Sequence, residues 1–362
     1  MSSNTRIDVW LVIDSLTFGG IETYVLELAK GLKHHNTSVE VLLIERYQQR
    51  SPLVEKLEKE AIPYQYLSDL ATQPLFALIR KINHSPTPLI PAQGYKASLL
   101  SKCARVLTGA KQITTYHAGE TPTGKVWAYD FVDRYTALIS TLSLAVSEKV
   151  SQKIPATTLR LNNFIDDSKA SVSTGEQIAF VGRLSHEKGP DRFIRCAKSR
   201  PDLSFHIYGS GPLEAEISQL APQNVQLHGH QSNMDVVWKH IGVLLICSRF
   251  EGLPMAALEA MSRGCIVIAL RVGDLPKLIS SGQNGYLVDT AAQIADVLRT
   301  LEQLTDDERQ KISQQAICTV REQFSSSAII PKLLQLYKKS GRQSDSHICL
   351  LYTSDAADDC WS

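Results

Sequence analysis

The sequence predicts an α/β protein built from two doubly wound domains in series. Its 362 residues are more than twice the roughly 150 typical of one domain, so two domains are expected. Short apolar runs alternate with longer amphipathic runs, a rhythm typical of βα units that form a parallel sheet. This rhythm runs through the first 165 residues and starts again near residue 178.

Four strands and three helices are predicted in the first half. The strands are residues 7–13, 39–44, 113–116 and 142–146, and the helices lie near residues 21–32, 95–107 and 124–139. Small and polar residues at 167–177 separate these elements from the next strand, as in a linker. We therefore expect a first domain over residues 1–165 and a second over residues 166–324.

The second half repeats the pattern and ends in helices. Strands are predicted at residues 178–181, 203–208, 225–227, 243–247 and 265–269, and helices at residues 291–304, 306–323 and 326–338. The final helices are long enough to cap a sheet or to cross back to the first domain. Residues 341–362 show no periodicity, so we expect a non-native or disordered tail there.

Composition excludes several classes of protein. Hydrophobic residues make up 43% of the chain and charged residues 21%, which is typical of globular proteins rather than disordered or coiled-coil chains. The 38 Lys and Arg against 37 Asp and Glu give a net charge of +1, so no global field recruits nucleic acid. Residues 1–165 hold 18 basic and 14 acidic residues, which allows at most weak peripheral contact with a membrane.

The cysteines and the start of the chain bear on metal binding and localisation. The seven Cys residues show no metal-ligand spacing, so no metal site is expected. The first residues lack the apolar core of a signal peptide, and no apolar run is long enough to span a bilayer. These features favour a cytoplasmic protein, at most one that works at the inner face of the membrane.

Paired glycines follow the first predicted strand. Gly19 and Gly20 precede a helix, where backbone N–H groups could approach a negatively charged ligand. The alternative is an ordinary turn. The G-x-G-x-x-G dinucleotide fingerprint is absent here, and it is also absent at Gly209-Ser210-Gly211, where Glu214 replaces the third glycine.

Two cations follow the first strand of the second half. Arg183 and Lys188 lie five residues apart, each with a glycine beside it. A guanidinium can bind phosphate oxygens bidentately and an ammonium adds a point charge, so this pattern suits a diphosphate. The alternative is a surface turn in which Lys188 pairs with Glu187.

Two carboxylates accompany a later predicted helix, residues 254–263. Glu251 lies on the entry loop and Glu259 lies inside the helix. Carboxylates accept hydrogen bonds from vicinal hydroxyls such as those of ribose or a hexose, and both could face one strand-end cleft. In the structural alternative, Glu259 pairs with Arg263 at i,i+4 and Glu251 favours the helix N-terminus.

A single histidine, His117, follows a predicted strand of the first half. A histidine there could hydrogen-bond a substrate hydroxyl or stabilise developing charge across the cleft. The alternative is a histidine whose hydrogen bonds serve only the fold.

Together these residues resemble family 4 retaining glycosyltransferases of the GT-B fold, also described as glycosyl transferases group 1, over about residues 6–340. The resemblance rests on six motifs in order: Gly19-Gly20-Ile21-Glu22, His117-Ala118-Gly119, Val146-Ser147-Glu148, Asn163-Phe164-Ile165-Asp166, residues 181–189, and an E-x7-E element from Glu251 to Glu259. It implies two Rossmann-like domains facing across a cleft. The second domain would hold a nucleotide-sugar donor and the first an acceptor, with a final helix, about residues 325–340, returning to the first domain.

The resemblance also implies a role for each matching residue. Arg183 and Lys188 would bind the donor diphosphate, and Glu259 the ribose hydroxyls. Glu251 would contact the hydroxyls of the transferred sugar, and His117 would lie at the reaction centre. The other implied contacts are Gly20 near the donor phosphate and Gly229 with His230 near the base.

The function implied by the resemblance is transfer of a hexose from a nucleotide-diphosphate sugar to an acceptor hydroxyl, with retention of configuration. The acceptor would be a sugar or a lipid-linked glycan in surface polysaccharide or glycan biosynthesis. Such enzymes usually need no cofactor or bound metal, and cationic side chains would stabilise the departing diphosphate instead. Two alternatives remain open: an epimerase-like enzyme of the same fold, and a non-catalytic nucleotide-sugar-binding protein.

One stretch departs from the family pattern. Pro91 and Gln93 stand where many relatives carry two histidines. The cations and glutamates of the second half are unaffected, so the departure bears on the acceptor pocket more than on donor binding.

Overall fold

The computed structural model describes residues 8–342 except residues 17, 86–87, 118–124 and 168–169. Within this part of the chain, one parallel sheet forms between residues 8 and 160 and a second between residues 177 and 288, each flanked by helices. This is the two-sheet, Rossmann-like α/β architecture that the sequence predicts.

The first sheet has the strand order β3-β2-β1-β4-β5-β6-β7, and all its neighbours pair in parallel. Its strands are β1 (Asp8–Ile13), β2 (Ser38–Leu43), β3 (Tyr64–Tyr66), β4 (Leu89–Gln93), β5 (Lys111–Tyr116), β6 (Leu142–Ala145) and β7 (Leu159–Arg160). The chain leaves β1 in one direction and resumes at β4 on the other side. In such sheets ligands bind beyond the carboxyl ends of the strands at this switch point.

The helices of the first domain have local sequence signals at several ends. They are α1 (Gly20–His34), α2 (Pro52–Lys59), α3 (Pro74–Asn83), α4 (Tyr95–Thr108), α5 (Lys125–Tyr135) and α6 (Glu148–Ser151). Helix α2 begins after Ser51, whose hydroxyl accepts the Leu53 N–H at 3.3 Å. Helix α4 ends at Gly109, whose left-handed φ of 73° favours glycine.

The second sheet has the order β10-β9-β8-β11-β12-β13, again with parallel pairing. Its strands are β8 (Gln177–Val181), β9 (Phe205–Tyr208), β10 (Val225–Leu227), β11 (Ile241–Ile246), β12 (Ile266–Leu270) and β13 (Tyr286–Val288). The helices around it are α7 (Pro190–Ser199), α8 (Glu214–Leu220), α9 (Met234–Trp238), α10 (Met255–Met261), α11 (Leu275–Leu278), α12 (Gln293–Gln303) and α13 (Asp306–Gln323). The switch point lies between β8 and β11, which places both loops that carry the predicted cations and carboxylates at one edge.

The last helix, α14 (Ser326–Arg342), packs on the first domain. Ile330 meets Gly31 of α1, where a Cβ would lie only 2.6 Å from Ile330 Cγ1. Ile329, Leu333 and Tyr337 join the same hydrophobic core as β1 and α1. The chain thus returns to the first domain, as the resemblance implies.

The structure differs from the predicted elements in a few places. Strands β3, β7 and β13 have only two or three residues each, too few to show periodicity. Strand β4 contains Pro91, a residue that argues against a central strand, yet it is buried between β1 and β5. The helix predicted near residues 124–139 covers only Lys125–Tyr135, followed by a 3-10 turn at Ala137–Ile139.

Two expectations concern residues outside the described ranges. Helix α14 runs to Arg342, two residues into the predicted tail, and residues 343–362 lie beyond the described part of the chain. Gly119 of the histidine motif also lies outside it.

Candidate functional site

The candidate site lies where the carboxyl ends of the two sheets meet. The loop after β11 carries Glu251, Gly252 and Leu253. A Cβ on Gly252 would lie 3.7 Å from the His117 carbonyl oxygen, and Asn163 Nδ2 donates to the Leu253 carbonyl oxygen at 2.7 Å. The structure therefore brings His117, which follows β5, next to the loop that begins with Glu251.

Lys188 and Glu251 form an ion pair in this site. Lys188 Nζ lies 2.7 Å from Glu251 Oε1 and 2.9 Å from Oε2. The Ser248 hydroxyl also donates to Glu251 Oε1 at 2.7 Å. Only 6% of the Glu251 side chain is exposed, against 33% of the Lys188 side chain. Lys188 therefore pairs with the carboxylate of the other motif rather than with Glu187, and its ammonium remains partly accessible.

Arg249 ties the loop after β8 to the loop after β11. Its two terminal nitrogens donate to the two carboxylate oxygens of Asp191, each at 2.8 Å. Its backbone N–H donates to the Glu187 carbonyl oxygen at 2.8 Å. Such a bidentate pair fixes direction as well as distance. Arg249 thus fixes the loop that carries Lys188 relative to the loop that carries Glu251.

The same two loops pack closely at Gly189. Its φ is 65°, and a Cβ there would lie 2.3 Å from the Cys247 carbonyl oxygen. Arg192 donates to this oxygen and to the Ser248 carbonyl oxygen, at 3.3 Å in both cases. Glycine is therefore needed at position 189 for both its conformation and its lack of a side chain.

Arg183 lies just beyond β8 with an exposed side chain. Among the described residues it has no hydrogen-bond or ion-pair partner, so its guanidinium is available to an external anion. Behind it, a Cβ on Gly209 would lie 1.9 Å from the Gly182 carbonyl oxygen. Glycine at position 209 thus lets the ends of β8 and β9 approach each other.

Glu259 lies on α10 and is half-buried. Its Oε2 accepts the Trp238 indole N–H at 3.1 Å, and burial raises the pKa of its carboxyl group. The Arg263 side chain donates to the Glu259 backbone carbonyl oxygen at 3.0 Å and pairs with Asp235 at 2.7 Å. The side-chain pair that the structural alternative requires is therefore not formed, although Arg263 is close enough to favour the charged form of Glu259.

His117 lies among neutral neighbours. Its Nε2 lies 2.6 Å from Gln93 Oε1, and its ring meets the Tyr24 ring edge-on at a centroid distance of 4.6 Å. The Gln93 amide nitrogen donates to the Thr115 hydroxyl at 3.3 Å, which aims the amide oxygen at the imidazole. Burial lowers the pKa of His117 to about 4, so the ring is neutral at pH 7. In this arrangement Nε2 donates to Gln93, and Nδ1 carries the free lone pair.

Gly20 is the first residue of α1 and is exposed, with open space where a Cβ would stand. The Glu22 carboxylate accepts the Gly19 N–H at 3.0 Å, and burial raises the pKa of Glu22. The helix N-terminus is therefore capped by its own glutamate while leaving the surface over Gly20 clear.

Gly229 and His230 follow β10. Gly229 has a φ of 65°, and its carbonyl oxygen accepts the Gly209 N–H at 2.9 Å. His230 is exposed. Both lie at the same edge of the second sheet as Arg183, but within the described residues no hydrogen bond links them to the glutamates or to Lys188.

Sequence reasoning assigned no role to several side chains that build the site. Asp191, Ser248 and Arg249 stand inside or beside the quoted motifs, so their proximity in sequence was the available signal. Gln93 and Trp238 lie 24 residues from His117 and 21 from Glu259 along the chain, and only folding brings these pairs together.

No group of three or more His, Cys, Asp or Glu side chains in the described ranges is arranged to hold a metal ion. No helix in the same ranges is both long enough and apolar enough to cross a bilayer.

The second half of the chain is similar to known glycosyltransferases. Residues 162–318 match the family described as Glycosyl transferases group 1. The chain is 29% identical over 185 residues to a D-inositol 3-phosphate glycosyltransferase of Corynebacterium aurimucosum, a match that covers 44% of this chain and 42% of that protein. It is 31% identical over 133 residues to the O-antigen biosynthesis glycosyltransferase WbnH of Escherichia coli, covering 36% and 38% of the two chains. These matches span about two fifths of the length of the relatives.

A solved structure extends the likeness to both domains. Anabaena HepE, in complex with UDP and glucose, superimposes with a TM-score of 0.79 at 17% identity, covering 92% of this chain and 99% of that one. At this identity the likeness establishes the fold alone. Residues 162–318 therefore match the group 1 glycosyltransferase family, within a chain whose two sheets have the GT-B fold.

Proposed function

We propose that this protein is a glycosyltransferase that moves a hexose from a nucleotide-diphosphate sugar to an acceptor hydroxyl. The observation that carries the proposal is the Lys188–Glu251 ion pair, on a loop whose next residue, Gly252, approaches the His117 backbone carbonyl oxygen of the other domain. A cation and a carboxylate in one cleft match the two parts of such a donor, its diphosphate and its sugar hydroxyls. The bound UDP and glucose of HepE, a protein of the same fold, support this class of ligand.

The proposal assigns the donor mainly to the second domain. Arg183 and Lys188 bind the diphosphate, Glu251 the hexose hydroxyls and Glu259 the ribose. When the diphosphate engages Lys188, the Ser248 hydroxyl continues to hold the Glu251 carboxylate in place. Further contacts are proposed from Gly20 to the phosphate and from Gly229 and His230 to the base. The domain limits at residues 1–165 and 166–324 remain a prediction.

Catalysis in this proposal rests on charge stabilisation without a bound metal or cofactor. Negative charge develops on the diphosphate as its bond to the sugar breaks, and the proposal assigns Arg183 and Lys188 to stabilise that charge. His117 is neutral, so it can hydrogen-bond the sugar or the acceptor without adding charge. Retention of anomeric configuration belongs to the proposal through the family 4 resemblance.

The acceptor is proposed to be a sugar or a lipid-linked glycan, used in the synthesis of a surface polysaccharide. The O-antigen role in the name of WbnH supports this class. Such an acceptor would be met in the cytoplasm, at the inner face of the membrane.

A panel of nucleotide sugars tests the proposal. Thermal shift should identify a donor, because a ligand that binds only the folded state raises its stability. Nucleotide diphosphate should then be released with a crude acceptor and far more slowly without one. Conversion of the donor to an isomer would indicate an epimerase-like enzyme, and stabilisation without any turnover would indicate a binding protein. Absence of stabilisation by every nucleotide sugar, with EDTA or with Mg²⁺, would remove the proposal.

A further inference from the structure

Helix α5 exposes its apolar side, which is the reverse of what is expected for a helix that packs only on its own domain. Surface helices normally bury an apolar stripe and expose polar residues. Among the described side chains of α5, only Asp133 is buried, whereas Trp127, Phe131 and Tyr135 are 48%, 43% and 61% exposed. The apolar side of this helix therefore points away from the core.

A buried polar cluster fixes this orientation. Lys102 of α4 is fully buried, and its Nζ lies 2.6 Å from Asp133 Oδ1 and 2.6 Å from the Asp133 carbonyl oxygen. Ser98 donates to Asp133 Oδ1 at 2.5 Å, and the Tyr116 hydroxyl donates to the Asp133 carbonyl oxygen at 3.1 Å. Rotating α5 to bury its aromatic side would break this ion pair, so the outward direction is built into the fold.

The exposed rings form one continuous stripe. Trp127, Phe131 and Tyr135 lie four residues apart and stack in sequence, with ring centroids 5.4 Å and 4.3 Å apart. We call these three residues the aromatic face. Nine of the sixteen large exposed hydrophobic residues in the described ranges lie on α3, α4, α5 and the 3-10 turn after it: Phe76, Val106, Leu107, Trp127, Tyr129, Phe131, Val132, Tyr135 and Leu138. Such a concentration of exposed hydrophobic side chains on one layer of helices is unusual for a surface that contacts only water.

The same layer is basic. Helices α3, α4 and α5 hold seven Lys and Arg against two Asp and Glu, a surplus of five that falls to three because Lys81 and Lys96 pair with Glu40 and Asp14 outside these helices. Residues 1–69 hold seven basic and ten acidic residues. The small excess of basic residues over residues 1–165 is therefore the sum of an acidic first part and a basic layer of helices. Arg80 on α3 is exposed with no hydrogen-bond or ion-pair partner for its side chain among the described residues, and it borders a depression of about 420 Å³ that Lys81 and His84 also line.

We propose that the layer of α3, α4 and α5 docks on an anionic lipid bilayer through the aromatic face. Trp and Tyr prefer the interface between water and lipid, and clustered Lys and Arg are attracted to acidic headgroups. The positive surplus argues against a second copy as the occupant, because two such layers would repel each other. Nucleic-acid binding is not favoured, since the exposed side chains of α5 among the described residues are apolar and aromatic rather than cationic.

The location of the layer fits the proposed function, on which this step rests. Helix α5 begins eight residues after His117 in the sequence, and Tyr129 of α5 stacks on Tyr95, the first residue of α4 after β4 at the switch point, with centroids 5.9 Å apart. A bilayer against α5 would therefore lie beside the acceptor side of the cleft. An acceptor anchored in that bilayer would reach the cleft without leaving the membrane.

Vesicle co-sedimentation of the full chain tests the proposal. Vesicles of phosphatidylcholine alone are compared with vesicles that also contain phosphatidylglycerol, at roughly 0.1 M and 1 M salt. We expect at least about tenfold tighter binding to the anionic vesicles at low salt, lost at high salt. The Trp127 emission should shift to the blue on binding, measured in a Trp361→Phe background because Trp10 and Trp238 are buried.

Matched variants locate the surface. Replacing Trp127, Phe131 and Tyr135 together by alanine should weaken vesicle binding about tenfold or more, and Arg80→Glu should weaken it by about tenfold. A control triple, in which Leu220, Leu227 and Val236 of the second domain become alanine, should bind as the unmodified protein does. These control residues are also exposed.

Three results would overturn the proposal. They are equal binding to neutral and anionic vesicles, an aromatic triple variant that binds as tightly as the unmodified chain, and dimers that depend on the aromatic face with no vesicle binding. Donor affinity, measured by calorimetry on the same triple variant, should be unchanged. Loss of vesicle binding with intact donor affinity would leave the proposed function standing, whereas vesicle binding by a protein that binds no nucleotide sugar would refute the function and keep the docking surface.

Discussion

The two domains present different side chains to the cleft, charged ones from the second domain and neutral ones from the first. The second domain presents charged groups, with Lys188 paired to Glu251 and Arg183 exposed beyond β8. The first domain presents His117, whose pKa burial lowers to about 4, held by the uncharged Gln93 amide. Under the proposed function, the second domain would bind the negatively charged donor, while the first domain would add hydrogen bonds without altering the charge of the site.

The loops that carry these groups are also held differently. In the second domain, ion pairs such as Arg249 with Asp191 and close approaches such as Gly189 on Cys247 connect one loop to the next. In the first domain, ring contacts and neutral hydrogen bonds surround His117. Substitutions should therefore affect donor affinity and stability in the second domain, and turnover and pH dependence in the first.

Removing Lys188 should have the largest effect. Lys188→Ala leaves the nearly buried Glu251 carboxylate without its cation, so we expect a loss of about 1–3 kcal/mol in the free energy of unfolding, below the roughly 3–5 kcal/mol of fully buried pairs because Lys188 is partly exposed. Donor affinity should fall by about a hundredfold as well. Urea unfolding and calorimetry measure the two quantities.

The double variant Lys188→Ala/Glu251→Gln separates these effects. It should regain much of the stability, because the uncompensated charge is gone, but not the donor affinity. A single Lys188→Ala variant as stable as the unmodified protein would show that the ion pair contributes nothing to the fold.

Arg183→Ala should weaken donor binding by about 1.5–3 kcal/mol, roughly ten- to over a hundredfold, through loss of a charge-assisted hydrogen bond. Stability should hardly change, because Arg183 is exposed and makes no ion pair within the described residues. Arg299→Ala, which removes an exposed arginine paired with Asp296, is the matched control and should leave donor affinity intact. Unchanged affinity in Arg183→Ala would contradict the diphosphate assignment.

His117 should make the protein less stable in acid. Its pKa is about 4 in the folded state against a usual 6.5, so the unfolded chain binds the proton first as the pH falls. Its contribution to stability is complete above about pH 6.5 and is lost toward pH 4, and the loss amounts to about 2 kcal/mol at pH 5. Between pH 7 and pH 5, the free energy of unfolding of His117→Gln should therefore fall by about 2 kcal/mol less than that of the unmodified protein. Urea unfolding at the two pH values measures this difference.

The same variant tests whether His117 serves the reaction. His117→Gln should lower turnover more than it weakens donor binding, whereas equal effects would reduce the residue to a packing role. Gln93→Glu should raise the imidazole pKa by placing a carboxylate at Nε2, and a new pH dependence of turnover near neutrality should follow.

Glu259→Gln should have the smallest effect, a rise of about tenfold in the donor dissociation constant. A neutral amide oxygen accepts a hydrogen bond from a hydroxyl more weakly than a carboxylate does. The amide oxygen can still accept the Trp238 N–H, so stability should be preserved. Glu302→Gln, an exposed glutamate paired with Arg200, is the control for removing a charge. No change in donor affinity would remove Glu259 from the binding site.

Local pattern was enough for the fold class and for most of the central strands. Apolar runs predicted β1, β2, β5, β6 and the strands from β8 to β12, of which all but the three-residue β10 are long enough to show a pattern. They did not predict β4, where Pro91 opposes the assignment, or the short edge strands β3, β7 and β13. Neighbouring strands stabilise those segments, and that stabilisation is not encoded within them.

The candidate site was predicted in its members but not in its connections. The motif order supplied Arg183, Lys188, Glu251, Glu259 and His117. It did not supply the pairing of Lys188 with Glu251 or the support of Glu259 by Trp238, since these contacts join segments 63 and 21 residues apart. The outward direction of α5 was missed as well, because an aromatic stripe in a sequence is normally taken as core.

The sequence by itself determined the alternation of strands and helices, the glycines at tight strand ends and the types of side chain offered to a ligand, since each depends on a few adjacent residues. The tertiary structure alone decided which charged side chains pair with each other, that His117 is neutral, and which face of α5 is exposed. These outcomes depend on burial and on distances between remote segments, and both quantities exist only once the chain has folded.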